Sequence, residues 1–522
     1  MSELDPKSDS FIDPDAALAR RFESNQRLLV ALALLAALFW TALYLQFSVD
    51  DAYISFRYGK TLVANHVWNW NPCGLHEEAY TSAIYTALGI VPALMHISPA
   101  LFFKFFGLVC IAAMLYRLRT LALSRYAFLL GLLLFAFDPW VWLHSCSGLE
   151  TPLYMLLILE LAICVDRAVS VSAPWVYAVA LLLPLTRPEG VVFAVAGVFL
   201  FWRCRGSSPK RLAWFAAAVL LGLLYFLARW KYFGHLLPNP FYVKVNHESP
   251  RAMLGHLLDN LDQFKGYFLT LILVILTARK TATRWFALCA FALILLLYSP
   301  HDMPMNYADR YFFQVCFPVI VFFFIAEPVA HFARISGILA AVFLLAISPS
   351  KMIDLIKYWP GLVRAHVDLG KRLAPFSGNH TMLAGDVGVI PYYSNWVTYD
   401  FTGLATNSIA QHGIAATGLE AMHPDLIILY NAKPGPGLLE DHSWSGPEPA
   451  ASNIVQFIRE SREYEYAGAS RANNFYLVEF LRKDTPQRDQ LLAAIQANTQ
   501  NSENTNFSFR SLLLQHYVPW TE

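Results

Sequence analysis

Long apolar runs recur along most of this chain, and they restrict its fold more than any other feature. The first, residues 28–47, holds twenty residues without a charged side chain. A helix needs about 20 apolar residues to cross a bilayer, and only helices and closed barrels satisfy their backbone polar groups in lipid. Further runs lie at about 99–116, 126–143, 153–165, 173–186, 190–202, 211–228, 267–278, 285–299, 311–326 and 335–349. Although several are short for a span, the series predicts a polytopic α-helical membrane protein with about 11 transmembrane helices.

The composition agrees with this class and excludes another. Hydrophobic residues make up 56% of the chain and charged residues 15%, whereas about a quarter of a soluble domain is charged. The net charge of +1 gives no basic field that would attract nucleic acid. The seven cysteines show no metal-ligand spacing, and most lie in apolar runs. Cys73 and Cys146 lie in predicted loops and could pair in an oxidising compartment.

The charges that flank the runs predict the topology. Residues 1–27 are polar, carry arginines before the first run and precede no cleavage site, so we expect a retained cytoplasmic tail. Prolines interrupt 82–97, which we interpret as interfacial or re-entrant within a first outer loop of residues 48–98. The transmembrane domain is then 28–349, and its short inner loops are rich in Arg and Lys. Arg229 and Lys231 would lie outside, as a mild exception.

Residues 350–522 differ in character and predict an extracytoplasmic (periplasmic) α/β domain. An amphipathic connector occupies 351–375. Strand-like patterns lie at 382–384, 426–430 and 475–480, and helix-like patterns lie at 404–422 and 451–462. A polar segment at 497–508 is predicted to be a loop. The glycines at 385–388 lack the spacing of a dinucleotide-binding loop, so a tight turn is the better interpretation.

Two adjacent carboxylates, Asp50 and Asp51, follow the first apolar run directly. Ionisable groups beside a membrane span are costly and usually serve a function. Neighbouring residues point in different directions on a helix, so we expect no shared proton. Two interpretations stay open: one carboxylate acts as a base, or the pair caps a short helix that begins near Ala52. A divalent cation on either aspartate is a further option, which no histidine or cysteine spacing supports.

Other polar residues are predicted on the same outer face. Arg57 would lie on the interfacial helix, either as a snorkelling cation or as a contact for a lipid phosphate. Glu150 could cap the span that follows it, and Arg187 and Arg310 each have an acidic neighbour with which they could pair. The remaining candidates on this face are Glu78, Tyr80, Asn239 and Lys244.

Such a set of side chains suits the transfer of a sugar from a lipid phosphate. Arginine binds phosphate oxygens with a forked pair of donors. A carboxylate can take the proton of an acceptor hydroxyl as the glycosidic bond forms. Direct displacement with inversion needs one such base, whereas double displacement would need a separate nucleophile.

The outer motifs, in chain order, resemble those of a known family. They are DDAYISFRY at 50–58, NP at 71–72, EAYTS at 78–82, SGLETP at 147–152, TRPEG at 186–190, LPN at 237–239, DRY at 309–311 and GDVGVIPYYS at 385–394. This ordered set resembles the GT-C superfamily of polyprenyl-phosphate-sugar-dependent membrane glycosyltransferases, and within it the actinobacterial terminal β-(1→2)-arabinofuranosyltransferase family. The likeness extends over nearly the whole chain, but it does not specify the sugar.

The resemblance implies a GT-C-like fold in the bacterial inner membrane, with the active site and the C-terminal domain facing the periplasm. It implies an inverting enzyme that moves arabinofuranose, or another pentose or hexose, from a polyprenyl-phosphate carrier to an envelope glycan or lipid. Asp50 is then the base and Asp51 its partner. The donor-side candidates are Arg57, Arg187, Arg310, Lys244 and Asn239, and those of the acceptor side are Glu78, Tyr80 and Glu150. Cys73-Gly74 and Ala79 depart from the family pattern, so acceptor-side contacts can differ.

A non-catalytic membrane scaffold, or an envelope transporter that shares the fold, is the alternative. A transporter should carry polar residues in the middle of its spans, often on broken helices or internal repeats. Here the charged residues cluster at the ends of the runs and no repeat is present, which counts against transport. A scaffold that has kept both aspartates fits the same sequence.

Overall fold

A computed structural model of the chain describes residues 25–74, 76–166, 171–244, 249–301, 303, 306–327, 349–378, 380–414, 416–435 and 449–504. Within them the protein is mostly helical, with one small sheet near the C-terminus. Most of the predicted tail and nearly all of the predicted span 335–349 lie outside the described residues.

The N-terminal part consists of apolar helices joined by mostly short connections. Its helices are α1 Gln26–Tyr44, α2 Asp50–Asn65, α3 Ala83–Leu88, α4 Ile90–Met95, α5 Pro99–Leu121, α6 Arg125–Phe137, α7 Pro139–Cys146, α8 Thr151–Val165, α9 Ala173–Thr186, α10 Gly190–Arg205, α11 Pro209–Phe233, α12 Asn239–Lys244, α13 Pro250–Gln263, α14 Lys265–Thr277, α15 Thr281–Leu293 and α16 Arg310–Ala326. A π-helical turn, Ile294–Tyr298, extends α15, and a 3-10 turn, Tyr307–Asp309, precedes α16.

Five of the described helices are long and apolar enough to cross a membrane: α1, α5, α11, α15 with its π-helical turn, and α16 with its 3-10 turn. A sixth results if α6 and α7 form one broken span, bent by 61° where Pro139 follows Asp138. Further apolar helices, namely α3 with α4, α8, α9 and α14, are shorter. The prediction of a mostly helical chain with several membrane-length helices is therefore confirmed.

Helix α16 lies at the centre of this part. All of its residues are buried, and α6, α8, α14 and α15 pack against it. In contrast, α1 and α11 expose most of their apolar side chains, as helices in contact with lipid would. The seven cysteines are all free thiols, with Cys73 exposed and Cys146 buried, so these two do not form a disulfide.

The C-terminal domain is a five-stranded mixed sheet with helices packed on it. Its elements are α17 Pro349–Leu362, a π-helical turn Val363–Val367, α18 Asp368–Leu373, a 3-10 turn Ala374–Phe376, β1 Thr381–Ala384, α19 Val389–Ser394, β2 Val397–Asp400, α20 Asn407–His412, α21 Ala416–Met422, β3 Leu426–Asn431, α22 Pro449–Ser461, β4 Tyr464–Arg471, β5 Tyr476–Arg482 and α23 Arg488–Glu503. The strand order is β2-β1-β3-β5-β4. β1 is parallel to β2 and β3, whereas β5 is antiparallel to β3 and β4.

The sheet confirms the three predicted strands as β1, β3 and β5 and adds β2 and β4. It also corrects the first part of the loop predicted at 497–508, because α23 continues to Glu503; residues 505–508 lie outside the described residues. Asn498 of this helix donates to the Ser470 hydroxyl at 2.8 Å, and Ser502 accepts a backbone amide of β4 at 2.8 Å. Asn498 and Ser502 therefore bind the sheet instead of facing solvent in a loop.

The first loop and the C-terminal domain share one hydrophobic core. Tyr58 and Trp70 of the loop are completely buried in the same cluster as Leu369, Ile390 and Leu426 of the domain. Each part removes apolar surface of the other from water. The loop is consequently a structural element of the domain, although more than 300 residues separate them in sequence.

Glu479, on β5, places a carboxyl group in the interior of the sheet. It is fully buried, and burial raises its pKa to about 8, against an opposing effect of the Ser470 hydroxyl and amide. Between pH 4.5, its ordinary pKa, and pH 8 the folded state therefore keeps a proton that the unfolded chain loses. Through proton linkage, stability falls as the pH rises through this window.

We expect Glu479→Gln to remove this pH dependence. At pH 8 the Tm of the full chain in detergent should rise by about 5 °C, whereas at pH 5 it should change little, since the glutamic acid is already neutral there. Thermal unfolding at both pH values measures the effect, and the exposed Glu460→Gln serves as the control. An equal change in Tm at the two pH values would contradict a neutral buried carboxyl group.

Candidate active site between the first loop and the C-terminal domain

Asp50 is the first residue of α2, and its carboxylate binds the C-terminal domain. Its Oδ2 accepts a hydrogen bond from the amide of Gly388 at 2.8 Å, and its Oδ1 accepts one from the amide of Val389 at 2.7 Å. These amides lie at the start of α19, 338 residues away in sequence, whereas the N-cap of α2 is Val49 and has no side-chain cap. The interpretation that Asp50 caps the helix that begins near Ala52 is therefore wrong, since its carboxylate accepts the first amides of α19 instead.

The loop at 385–388, which precedes α19, is held in place by its own contacts. A Cβ atom on Gly388 would lie 1.9 Å from the backbone oxygen of Asp50, so only glycine permits the approach. Two residues earlier, Asp386 forms a 2.8 Å contact with Nε2 of the buried His366. The prediction of a tight turn at 385–388 missed this role, because it depends on an aspartate far away in sequence.

The surroundings of Asp50 act on its pKa in both directions. Burial raises the pKa of Asp50 to about 7, and the charges of Asp386 and Asp51 contribute to the increase, against opposing effects of His366 and the backbone amide of Val389. A pKa near 7 would suit a general base. However, both carboxylate oxygens of Asp50 already accept backbone amides, so the side chain acts first as a structural link.

Asp51 faces a different region, a small cavity of about 70 Å³. Successive side chains of a helix are about 100° apart, so Asp50 and Asp51 have separate surroundings, as expected. The polar residues that line the cavity come from several distant segments and are Asp51, Ser55, Tyr80, Thr81, Ser82, Glu150, Arg187, Arg310 and Tyr311. The structure therefore brings together five of the predicted site residues: Asp51, Tyr80, Glu150, Arg187 and Arg310.

Arg187 binds two carboxylates at once. Its Nη1 lies 2.5 Å from Glu150 and its Nε lies 2.6 Å from Glu189. The hydroxyl of Tyr298 also donates to Glu189, at 2.9 Å. The expected pairing of Arg187 with its acidic neighbour is present, and Glu150 completes a buried triad, of which Arg187 and Glu150 line the cavity.

Arg310 has a different set of contacts. Its Nη2 donates to the Tyr311 hydroxyl at 2.9 Å, and its guanidinium lies 4.8 Å and 5.5 Å from the ring centres of Tyr311 and Tyr307. Among the described residues, its Nε has no hydrogen-bond partner. A guanidinium has five N–H donors, so Arg310 retains donor capacity at the cavity.

The structure does not bring Arg57 to the cavity. Its side chain is completely buried, donates to the Trp396 carbonyl at 2.6 Å and lies 4.3 Å from the ring centre of Trp70. Burial lowers the pKa of Arg57 to about 9, and Glu77 opposes this change. Neither a snorkelling cation nor a lipid-phosphate contact describes Arg57, which instead ties the first loop to the C-terminal domain.

Glu78 pairs with Arg229, a residue that sequence reasoning treated only as an exception to the charge rule. Both carboxylate oxygens of Glu78 accept the Arg229 Nε–H at 2.8 Å, and both side chains are buried. Burial raises the pKa of Glu78, and the hydrogen bond and charge of Arg229 oppose this effect. The adjacent acids at 77–78 were the available signal for such a partner.

Asn239 and Lys244 begin and end the short helix α12. The Asn239 amide donates to Asn407 of the C-terminal domain at 2.8 Å, and its backbone N–H donates to the carbonyl of Glu78 at 3.1 Å. Asn239 thus lies at the junction and not in the cavity. The side chain of Lys244 lies outside the part of the chain that the structure describes.

The described residues contain no group of three or more His, Cys, Asp or Glu side chains that could hold a metal ion. The option of a divalent cation on Asp50 or Asp51 therefore gains no support.

The C-terminal domain matches one known family. The family model of a domain of unknown function, DUF8728, matches residues 362–491, from the end of α17 to the first turn of α23. No curated protein matches the chain, and no solved structure does. The match marks the same sheet domain that the structure describes.

We expect Asp50→Asn to loosen the junction, because the side-chain NH2 group of asparagine cannot accept the backbone N–H that one of the two carboxylate oxygens accepts. The loss should be about 1–3 kcal/mol, seen as a lower Tm and as faster proteolytic cleavage in the C-terminal domain. Asp51→Asn is the matched control, since Asp51 faces the cavity and should leave both readouts unchanged. Equal Tm values for the two variants would refute the structural role of Asp50.

Proposed function

We propose that the protein is an inverting membrane glycosyltransferase that moves a sugar from a polyprenyl-phosphate carrier to a cell-envelope glycan or lipid. The observation that carries the proposal is a single cavity in which the carboxylates of Asp51 and Glu150 lie beside the guanidinium groups of Arg187 and Arg310. The resemblance of the outer motifs to GT-C enzymes supports the same reaction. Arabinofuranose, or another pentose or hexose, is the proposed sugar.

Asp51 is the proposed base. It takes the proton of an acceptor hydroxyl while that oxygen forms a bond to C1 of the sugar. The bond between C1 and the phosphate oxygen breaks, and polyprenyl phosphate leaves with the electron pair, so that the configuration at C1 is inverted. We assign this role to Asp51 and not to Asp50, since the latter's oxygens accept the amides of Gly388 and Val389.

Arg310 is the proposed ligand of the donor phosphate. Its positive charge would stabilise the leaving phosphate, and its Nε has no hydrogen-bond partner among the described residues. Arg187 already binds Glu150 and Glu189, so its proposed role is to hold this wall of the cavity in place. Tyr80 supplies a ring against which a sugar could pack.

Substrate binding requires the cavity to open. Its volume of about 70 Å³ is well below the roughly 300–1,000 Å³ of ordinary ligand sites. Leu404, from the C-terminal domain, and Pro240, in α12, form part of its lining. We propose that a small displacement of these two segments admits the sugar, while the contacts of Asp50 hold α2 in position.

We place the site in a membrane with the topology expected from the sequence. In this proposal 11 helices span the bacterial inner membrane, and the cavity and the C-terminal domain face the periplasm. Basic residues at the ends of α5 and α10 support this orientation through the positive-inside rule. The pairing of Arg229 with Glu78 supports this topology for one of the two exceptional cations, because it gives this arginine a structural reason to lie on the outer side.

Loss of the Asp51 carboxylate should lower activity far more than loss of an exposed carboxylate elsewhere in the chain. In cells that lack the chain, we expect the parent protein to restore the missing surface glycan and Asp51→Asn to restore about 10²–10⁴-fold less. Mass spectrometry of surface glycans measures the product, and immunoblotting the protein level. The exposed Asp262→Asn is the matched control and should restore the glycan fully.

Full restoration by Asp51→Asn at a normal protein level would refute its role as the base. The same glycans with and without the chain would refute the transferase and favour the non-catalytic scaffold. Asp50→Asn is expected to lower the Tm, whereas Asp51→Asn is expected to lower activity without changing the Tm. Measuring the Tm of both variants therefore separates loss of folding from loss of chemistry.

A further inference from the structure

A second and larger cavity lies beside α2, with a volume of about 510 Å³. Three parts of the chain form it: α2, the segment from α4 to the start of α5, and the C-terminal domain. Its lining residues are Phe56, Lys60, Val63, Ala64, Gly89, Pro92, Ala93, His96, Ile97, Pro99, Lys371, Tyr392 and Tyr393. We refer to it as the interfacial groove.

The interfacial groove is separate from the proposed active site. At about 100° per residue, Asp51 and Ser55 fall on one side of α2, whereas Phe56, Lys60 and Val63 fall on the opposite side. The lining residues of the two cavities accordingly have no member in common. Helix α2 forms a wall between them.

The groove is lined by basic and neutral residues, and by no acidic residue. Lys60 Nζ donates to the Tyr392 carbonyl at 2.6 Å, and the ammonium group of Lys371 lies 5.2 Å from the Tyr393 ring centre. His96 is the third nitrogen-bearing side chain, and none of the lining residues is acidic. Two lysines without an acidic residue in the lining create a site that favours an anion.

The remainder of the lining is apolar and continues onto an exposed apolar surface. Leu94 and Met95, at the end of α4, are 62% and 61% exposed, and Leu101, at the start of α5, is 41% exposed. Exposing such an apolar patch to water is unfavourable. A ligand of the groove would therefore meet both cations and an apolar surface.

Gly59 and Gly89 explain why the groove exists beside this part of α2. A Cβ atom on Gly59 would lie 2.3 Å from the backbone oxygen of Gly89, so the two backbones touch. One helical turn further along α2, the facing side chains are Val63 and Ala64, which are too small to fill the space.

We infer that the interfacial groove binds one anionic phospholipid, with the headgroup phosphate between Lys60 and Lys371 and the upper acyl chains on the apolar surface of α4. Charge complementarity and the adjoining apolar patch both select this ligand. A free phosphate would leave the apolar lining unused, and a zwitterionic lipid would gain less from the two lysines. The site does not depend on the proposed transferase reaction.

Native mass spectrometry of the full chain, released from a zwitterionic detergent, tests this inference. With added phosphatidylglycerol we expect one tightly bound lipid, held roughly tenfold more strongly than phosphatidylcholine. The double variant Lys60→Gln/Lys371→Gln should lose this preference. Ala93→Trp, which fills the groove without changing its charge, should lose the bound lipid as well.

The control is Lys265→Gln, which removes an exposed lysine far from the groove residues in sequence and should bind phosphatidylglycerol as the parent does. Only variants that unfold at the same temperature as the parent are compared with it. If Lys60→Gln lowers this temperature, the single variant Lys371→Gln replaces the double variant. Equal binding of the two phospholipids, equal retention by the control and the groove variants, or a preference for a polyprenyl monophosphate or inorganic phosphate would overturn the inference.

Discussion

Two hydrogen bonds, donated by backbone amides to one buried carboxylate, connect the apolar helices of the N-terminal part to the C-terminal sheet domain. Through Gly388 and Val389, Asp50 fixes both the position and the rotation of α2. Since neighbouring side chains on a helix differ by about 100°, this rotation directs Asp51 into the small cavity and Lys60 into the groove. The chemistry assigned to α2 therefore depends on an aspartate that has itself no place in either cavity.

Several buried charges near α2 are paired locally, which offsets the cost of burying them. Burying an ion costs several kcal/mol unless it is paired and hydrogen-bonded. Glu78 is paired with Arg229, and Arg187 with Glu150 and Glu189. These pairs make the junction specific, because a shift of one element would leave the partner of each charge unpaired. Arg310 differs, since tyrosines surround its guanidinium.

The sequence predicts the helical part well, because a long apolar run has few alternatives to a helix. It predicts the sheet less well: β2 has only four residues, and β4 contains Glu465, Gly468 and Ser470, which break the apolar pattern. The structural role of Asp50 could not be predicted at all. It depends on the amides of Gly388 and Val389, which only the folded chain brings near. Arg57 misled sequence reasoning for the same reason, as its partner Trp396 is equally remote.

The shared core of the first loop and the C-terminal domain has a consequence for how the protein is made. Asp50 emerges from the ribosome 338 residues before Gly388, which at 5–20 residues per second is an interval of about 20 to 70 s. During that time Tyr58 and Trp70, completely buried in the finished protein, have no domain to cover them. In that interval the apolar side chains of the loop are uncovered, and a chain that stops before the sheet leaves them without the core that buries them.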